Sequence, residues 1–231
     1  MAVKQTKIKT RRRESQVERF ERIYKAIRER ICLLEYPPGT LLNEALLADE
    51  FEVSRTPVRN VLQRLNYEGL LETRNGVGTI VSEVDIKTFK DIYELRMRMA
   101  ELMGDLSPVN PTPDTIEALR NLCSRVEILR DKPKDLTAYA RLCNELHVLI
   151  IAQIGNDALR EMTDLLYYRP ARTWLSYLGN LDWREELQIL HHECSEILLA
   201  MEIGDMRGVG NARRQFLYLT LARISRYLVK V

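Results

Sequence analysis

Apolar residues at Val17, Phe20, Ile23, Tyr24, Ile27, Ile31 and Leu34 recur at the spacing of one helix face and predict a long amphipathic helix ending ahead of Pro37 and Pro38. A short helix is predicted over residues 44–50, with Asn43 as its cap and Leu46, Leu47 and Ala48 as its apolar side. After a three-residue turn, Phe51-Glu52-Val53, the positions Val58, Val61, Leu62 and Leu65 follow i, i+3, i+4, i+7 and mark a third helix. Ser54 stands at its N-cap, where the hydroxyl is expected to accept an orphan amide proton, and Pro57 falls in the first turn, where its missing N–H costs nothing. Two β-prone runs, Leu70 to Thr73 and Gly78 to Val81, flank Asn75-Gly76, a hairpin-turn signal. Helix, helix, helix and hairpin make a winged helix-turn-helix.

From Asp85 onward the periodicity is helical throughout. Apolar stripes run from Ile86 to Met103, from Ile116 to Leu129 after Thr112-Pro113, and from Leu136 to Ile154 before Gly155-Asn156. A fourth stripe from Leu159 is expected to reach Trp174 and Tyr177, with Pro170 kinking or splitting it. A fifth spans Trp183 to Ile203. The last is expected to follow Gly208 and Gly210, with Leu217, Leu221, Ile224 and Leu228 on its buried side. The fold class is therefore mainly α, a winged helix-turn-helix with a small β-hairpin wing followed by an all-α bundle of six or seven helices. Three regions are expected: a basic tail over 1–14, the winged helix-turn-helix, read as DNA-binding, over 15–82, and the all-helical domain over 85–231.

The 231 residues fit two domains of ordinary size, and 45% hydrophobic with 29% charged residues is a globular balance. No apolar run approaches the ~20 residues of a membrane span, no signal-peptide pattern opens the chain, and four scattered cysteines fit a reducing compartment. A cytoplasmic, nucleoid-associated protein with no membrane partner is expected. Charge is unevenly divided: residues 1–82 hold 15 Lys/Arg against 11 Asp/Glu, the remainder 20 against 22. The excess lies where nucleic acid would be met, and Lys4, Lys7, Lys9, Arg11, Arg12 and Arg13 form either a phosphate-following arm or a solvated leader.

On the third helix Arg55, Arg59, Gln63 and Asn66 line up away from the apolar stripe, and fork-shaped Arg donors near a helix N-terminus suit guanine edges and phosphates. The DNA-contacting set is read as Ser54, Arg55, Thr56 and Arg59, with Asn75 and Gly76 at the wing tip. Tyr36-Pro37-Pro38-Gly39-Thr40, Leu42-Asn43-Glu44, Val53 to Arg59, Leu62-Gln63-Arg64-Leu65 and Glu68-Gly69-Leu70-Leu71 occur in one register over about 70 residues. In them the chain resembles the GntR family of bacterial transcription regulators. Glu52 departs from the family, which usually carries glycine there; if the turn is left-handed, Glu costs on the order of 1 kcal/mol.

The second half resembles the fatty-acid-responsive C-terminal (FCD) domain of the FadR-type branch. Asp91 to Arg96, Leu146-His147 with Gly155-Asn156, Glu193 to Ala200 with Gly204-Asp205, and Arg213-Arg214 carry that resemblance. It implies a homodimer that reads palindromic operator DNA and holds a small metabolite, often an organic acid, in its bundle. Many members place an Asp and three His around a divalent metal. Here Cys143 stands for the Asp, Cys194 for one His and Phe216 for another, leaving His147. Cys143 and His147 share a helix face and with Cys194 form a soft set suited to zinc, or else pack as core. No Asp/His metal centre and no other cofactor is expected.

An acidic effector then needs a positive anchor, and Arg96, matched to the family's Arg, is the leading candidate, with His147 offering a hydrogen bond and Cys143 and Cys194 lining the site. Arg141, Arg169 and Arg172 are weaker candidates, read as solvated side chains or surface ion pairs. Tyr167, Tyr168, Trp174, Tyr177 and Trp183 line the pocket or pack. The resulting expectation is a transcription repressor controlled by a carboxylate. Its alternatives are a constitutive DNA-binding protein and an enzyme using Cys143 and His147, though no nucleophile elbow, phosphate loop or carboxylate pair occurs.

Overall fold

The computed structural model describes residues 14–230, so the basic run from Lys4 to Arg13 lies outside the described residues. The N-terminal head comprises α1 (Gln16–Cys32), α2 (Glu44–Glu50), α3 (Arg55–Tyr67) and the hairpin β1 (Leu71–Arg74) and β2 (Gly78–Val81). A capping box starts α1: Ser15 Oγ accepts from the Glu18 amide at 3.2 Å and Glu18 accepts from the Ser15 amide at 2.8 Å. Asn43 Oδ1 accepts from the amides of Ala45 and Leu46 to start α2. Ile23, Ile27, Ile31, Val58, Val61 and Leu65 meet in the head's core and are wholly buried. Glu52 takes φ 54°, so the turn into α3 is left-handed despite the side chain.

Three local features differ from the sequence reading. Ser54 occupies the N-cap of α3 with extended backbone but makes no side-chain cap hydrogen bond, leaving its hydroxyl and the first amides of the helix open to solvent. The wing turn spans Asn75, Gly76 and Val77, longer than a two-residue Asn-Gly turn; positive φ falls on two glycines, Gly76 (76°) and Gly78 (121°) where β2 begins. Residues 39–42 run along the free edge of β2, where the Val81 amide donates to Thr40 O at 3.0 Å and the Leu42 amide to Thr79 O at 2.9 Å. The segment that leaves α1 therefore stiffens the wing.

Seven helices follow: α4 (Ile86–Leu102), α5 (Pro113–Arg130), α6 (Leu136–Ile151), α7 (Asp157–Tyr168), α8 (Ala171–Leu178), α9 (Trp183–Glu202) and α10 (Met206–Lys230). Side chains of Asp85, Thr112, Asp135, Asn156 and Asp182 cap the first four and α9. Pro170 splits the fourth predicted stripe into α7 and α8, since it has no amide to continue the ladder. The last helix begins earlier than the glycines suggested, and both lie inside it. A Cβ on Gly210 would stand 2.3 Å from Ala100 O, and one on Gly104 would stand 2.6 Å from the Arg207 backbone. Those glycines let α10 lie directly against α4.

Candidate functional site

The outward face of α3 is open. Ser54, Arg55, Thr56, Arg59, Gln63 and Asn66 are exposed, as are Asn75 and Gly76 at the wing tip. Among the described residues Arg55 makes no ion pair, whereas Arg59 is held by Glu44 of α2 at 2.9 Å. Glu44 thus orients one guanidinium beside a second that stays unengaged. Four apolar residues anchor the helix from behind, so its polar face is presented as a rigid row.

In the bundle, Arg96 of α4, His147 of α6, Thr163 of α7 and Arg213 of α10 converge on a cavity of about 20 Å³, floored by Met99, Met103 and Ile150. Arg96 and Arg213 also border a neighbouring cavity of about 30 Å³ with Cys143, Tyr167 and Phe216. The charges do not balance. Arg213 donates to Glu193 at 2.7 Å, both side chains being buried. Arg96 is 9% exposed and has no carboxylate partner among the described residues; it stands over the rings of Tyr93 and Tyr167 at 4.9 and 5.5 Å. Burial lowers its pKa, Tyr93 opposes that and Arg213 adds to it, yet a guanidinium stays charged. The buried hydroxyl of Thr163, on the same wall, has no hydrogen-bond partner. An anion with hydrogen-bonding oxygens would answer both deficits.

The two cysteines part company. Cys143 borders the second cavity, where burial pushes its thiol well above the ordinary value and keeps it protonated, a poor nucleophile. Cys194 lines neither cavity, contrary to expectation: it is wholly buried in the apolar core of the bundle, where α9 packs against α5. Facing sides of α9 are set by the helix phase, and Glu193, one residue earlier, is the one that reaches Arg213. No group of three His, Cys, Asp or Glu side chains is placed to hold a metal among the described residues. The two guanidinium groups and Phe216 suit a cation poorly in any case.

His147 is buried and stacked on Tyr167, ring centroids 3.7 Å apart. Its Nε2 lies 3.0 Å from Asp164 Oδ1. Burial drives its pKa down to about 4, against the pull of Asp164, so the ring is neutral and Nε2 carries the proton donated to the carboxylate. The other Asp164 oxygen accepts from Arg28 of α1 at 3.4 Å. Burial alone would raise the Asp164 pKa, but the hydrogen bond to His147 and the charge of Arg28 hold it below its usual value. Arg28 lies 3.6 Å above the ring of Tyr168 and donates to Tyr24 Oη at 3.1 Å. Tyr24 in turn donates to Glu68 at 2.9 Å, and Glu68 accepts from Arg64 of α3 at 2.9 Å. One polar chain therefore runs from the cavity wall to the recognition helix.

A second strap lies beside it. Arg172, read from the sequence as solvated, is wholly buried and donates to Ser82 O at 2.7 Å, Ser82 Oγ at 2.6 Å, Gly69 O at 3.3 Å and Arg169 O at 2.8 Å. Burial pulls its pKa down to about 10. It ties α8 to the end of α3 and to the strand exit. The signal was its phase: Tyr168, Arg172 and Leu175 share one buried stripe at i, i+4, i+7. Arg141, by contrast, is exposed and paired with Glu29 at 3.3 Å, and Arg169 crosses Gly69. The Arg28–Asp164 bridge carries no local sequence signal, since the two residues lie 136 positions apart, and Thr163 has no partner to announce it.

The pattern of "Bacterial regulatory proteins, gntR family" matches residues 19–81, and that of the FCD domain matches residues 91–217. The "Nta operon transcriptional regulator" of Aminobacter aminovorans is 30% identical over 160 residues, covering 68% of this chain and 71% of its own. The "Uncharacterized HTH-type transcriptional regulator YdhC" of Bacillus subtilis is 25% identical over 177 residues, covering 75% and 77%. In fold, the solved structure of E. coli McbR/YncC superposes with a TM-score of 0.74 at 20% identity, covering 91% of this chain and 98% of its own. No helix among the described residues is long and apolar enough to cross a membrane. With a gntR-type head joined to an FCD effector-binding domain, this chain belongs to the GntR family of DNA-binding transcriptional regulators.

Proposed function

We infer that the chain is a cytoplasmic repressor that binds a palindromic operator as a homodimer and is controlled by a small organic acid taken up beside Arg96. The observation that carries this reading is the buried, unpaired guanidinium of Arg96 facing the unsatisfied Thr163 hydroxyl. A carboxylate accepts charge-assisted hydrogen bonds from Arg96 and one from the Thr163 hydroxyl, which has no partner of its own. His147 completes the wall as a neutral, fixed imidazole.

A cavity of about 20 Å³ holds roughly one water. Uptake of a metabolite therefore displaces a wall, and α7 is the wall that carries both Thr163 and, next to it, Asp164. Ligand binding and the polar chain to α3 meet on that helix, which makes a shift of α7 the route from acid to DNA head. On DNA, Arg55 and Arg59 read base edges, Ser54 and Thr56 hold phosphates, and Asn75 with Gly76 places the wing against the backbone.

The test is a melting-temperature screen of acetate, lactate, malonate, benzoate and hexanoate on the purified chain and on Arg96→Met, with mass measured at micromolar concentration. At least one acid stabilises the wild-type dimer and fails to stabilise Arg96→Met. Equal stabilisation of both proteins, or none by any acid, contradicts the anion site; a monomeric mass unchanged by operator contradicts the dimer.

A further inference from the structure

A cavity distinct from the one around Arg96 borders both the head and the bundle. It has a volume of about 420 Å³ and lies where the C-terminal half of α1 crosses α6, α7 and α8. That is within the range of small-molecule sites, and a joint between domains is a common place for one. Tyr168 and Trp174 supply flat aromatic walls, and Ala140 leaves the space between them open. Cys32 and Leu33 close the α1 side.

The cations at its rim are unequally engaged. Arg141 is paired with Glu29, and Glu145 with Arg125 at 2.8 Å, so these cancel. Lys25 makes no ion pair among the described residues. Arg28 spends only Nη1 on Asp164 and Tyr24, leaving its remaining donors without partners among the described residues. Two cationic groups with spare donors thus flank an aromatic slot.

We propose that this interdomain cavity is a second ligand site, which takes a flat aromatic anion with its ring against Trp174 and Tyr168 and its acid group on Lys25 and Arg28. Such a molecule touches α1 and the bundle at once, so it reports on, and biases, the angle between DNA head and effector domain. This site shares no lining cation with the one around Arg96, and the two are separable by mutation.

The chain has two tryptophans, and Trp183→Phe leaves Trp174 as the sole emitter. Titration of that variant with 8-anilinonaphthalene-1-sulfonate, an aromatic anion that accepts tryptophan emission, gives saturable quenching at one equivalent per chain. Filling the slot with Ala140→Phe, or reversing the rim charge with Lys25→Glu, weakens binding at least fivefold. Arg96→Met leaves it unchanged. Lys25 is exposed, so that variant keeps the test valid if Ala140→Phe fails to fold. Absent or non-saturating quenching, quenching indifferent to Lys25→Glu, or quenching lost in Arg96→Met overturns the proposal.

Discussion

Asp164 bridges two domains with one carboxylate: Oδ1 lies 3.0 Å from His147 Nε2 in the effector domain, and Oδ2 accepts from Arg28 of the DNA-binding head at 3.4 Å. Because Arg28 continues through Tyr24 and Glu68 to Arg64, Asp164→Asn should weaken communication more than DNA binding itself. The variant is expected to hold operator within about threefold of wild type while losing most of a coupling of ~1–3 kcal/mol between acid and operator. Operator titrations with and without a stabilising acid read both quantities; an undiminished acid response in Asp164→Asn would remove the relay from the mechanism.

Acid should destabilise the protein in a window set by His147. Burial holds its folded pKa at about 4, below the 6.5 of an exposed imidazole. The unfolded chain therefore binds the proton first, and the stability contributed by the neutral ring is complete above about pH 6.5 and lost as the pH falls toward 4. The full difference is on the order of 3 kcal/mol. Denaturant titrations from pH 7.5 to 4.5 should show a steeper fall for wild type than for His147→Gln. Parallel curves would mean that the ring charges without penalty.

Arg172→Met should cost about 2–4 kcal/mol, because Ser82 O and Gly69 O lose buried donors. As those carbonyls belong to the junction of head and bundle, calorimetry should resolve one wild-type transition into two. A single, unshifted transition would show that the strap is dispensable.

At the DNA face, Arg55→Ala should lower specific affinity by ~1–3 kcal/mol. Glu44→Ala should lower it by less, through loss of the 2.9 Å contact that orients Arg59. Unchanged operator affinity in Arg55→Ala and Arg59→Ala, both folded, would exclude α3 as the reading helix.

What was legible in the sequence is what the chain decides locally. Val58, Val61, Leu62 and Leu65 fixed the phase of α3, and Asn43, Asp85 and Thr112 announced helix starts that their side chains now cap. Gly210 misled because its use is a tertiary one, the approach of α10 to Ala100, while alone it signals a helix boundary. Ser54 looked like a cap and stands at the N-cap position, but its hydroxyl stays free, facing solvent beside the first amides of α3. Within the pocket Arg96 and His147 were visible as polar residues on apolar stripes, and Arg172 met the same criterion unheeded. Asp164 and Thr163 were not visible, because burial without a partner and a bridge over 136 residues are properties of packing. Cys194 was assigned because it stands where the family has a His, and a match in sequence does not say which side of α9 meets Arg213.

The central claim is that an acid at Arg96 sets operator affinity, and one measurement meets it directly. Operator selected from a random duplex pool is labelled, and its anisotropy is titrated with wild type and Arg96→Met, each with and without the acid that stabilises the wild type. Wild-type affinity should change by about 5-fold or more on adding the acid, as coupling of this kind produces, and Arg96→Met should bind operator without responding. An equal response in both proteins would contradict the account.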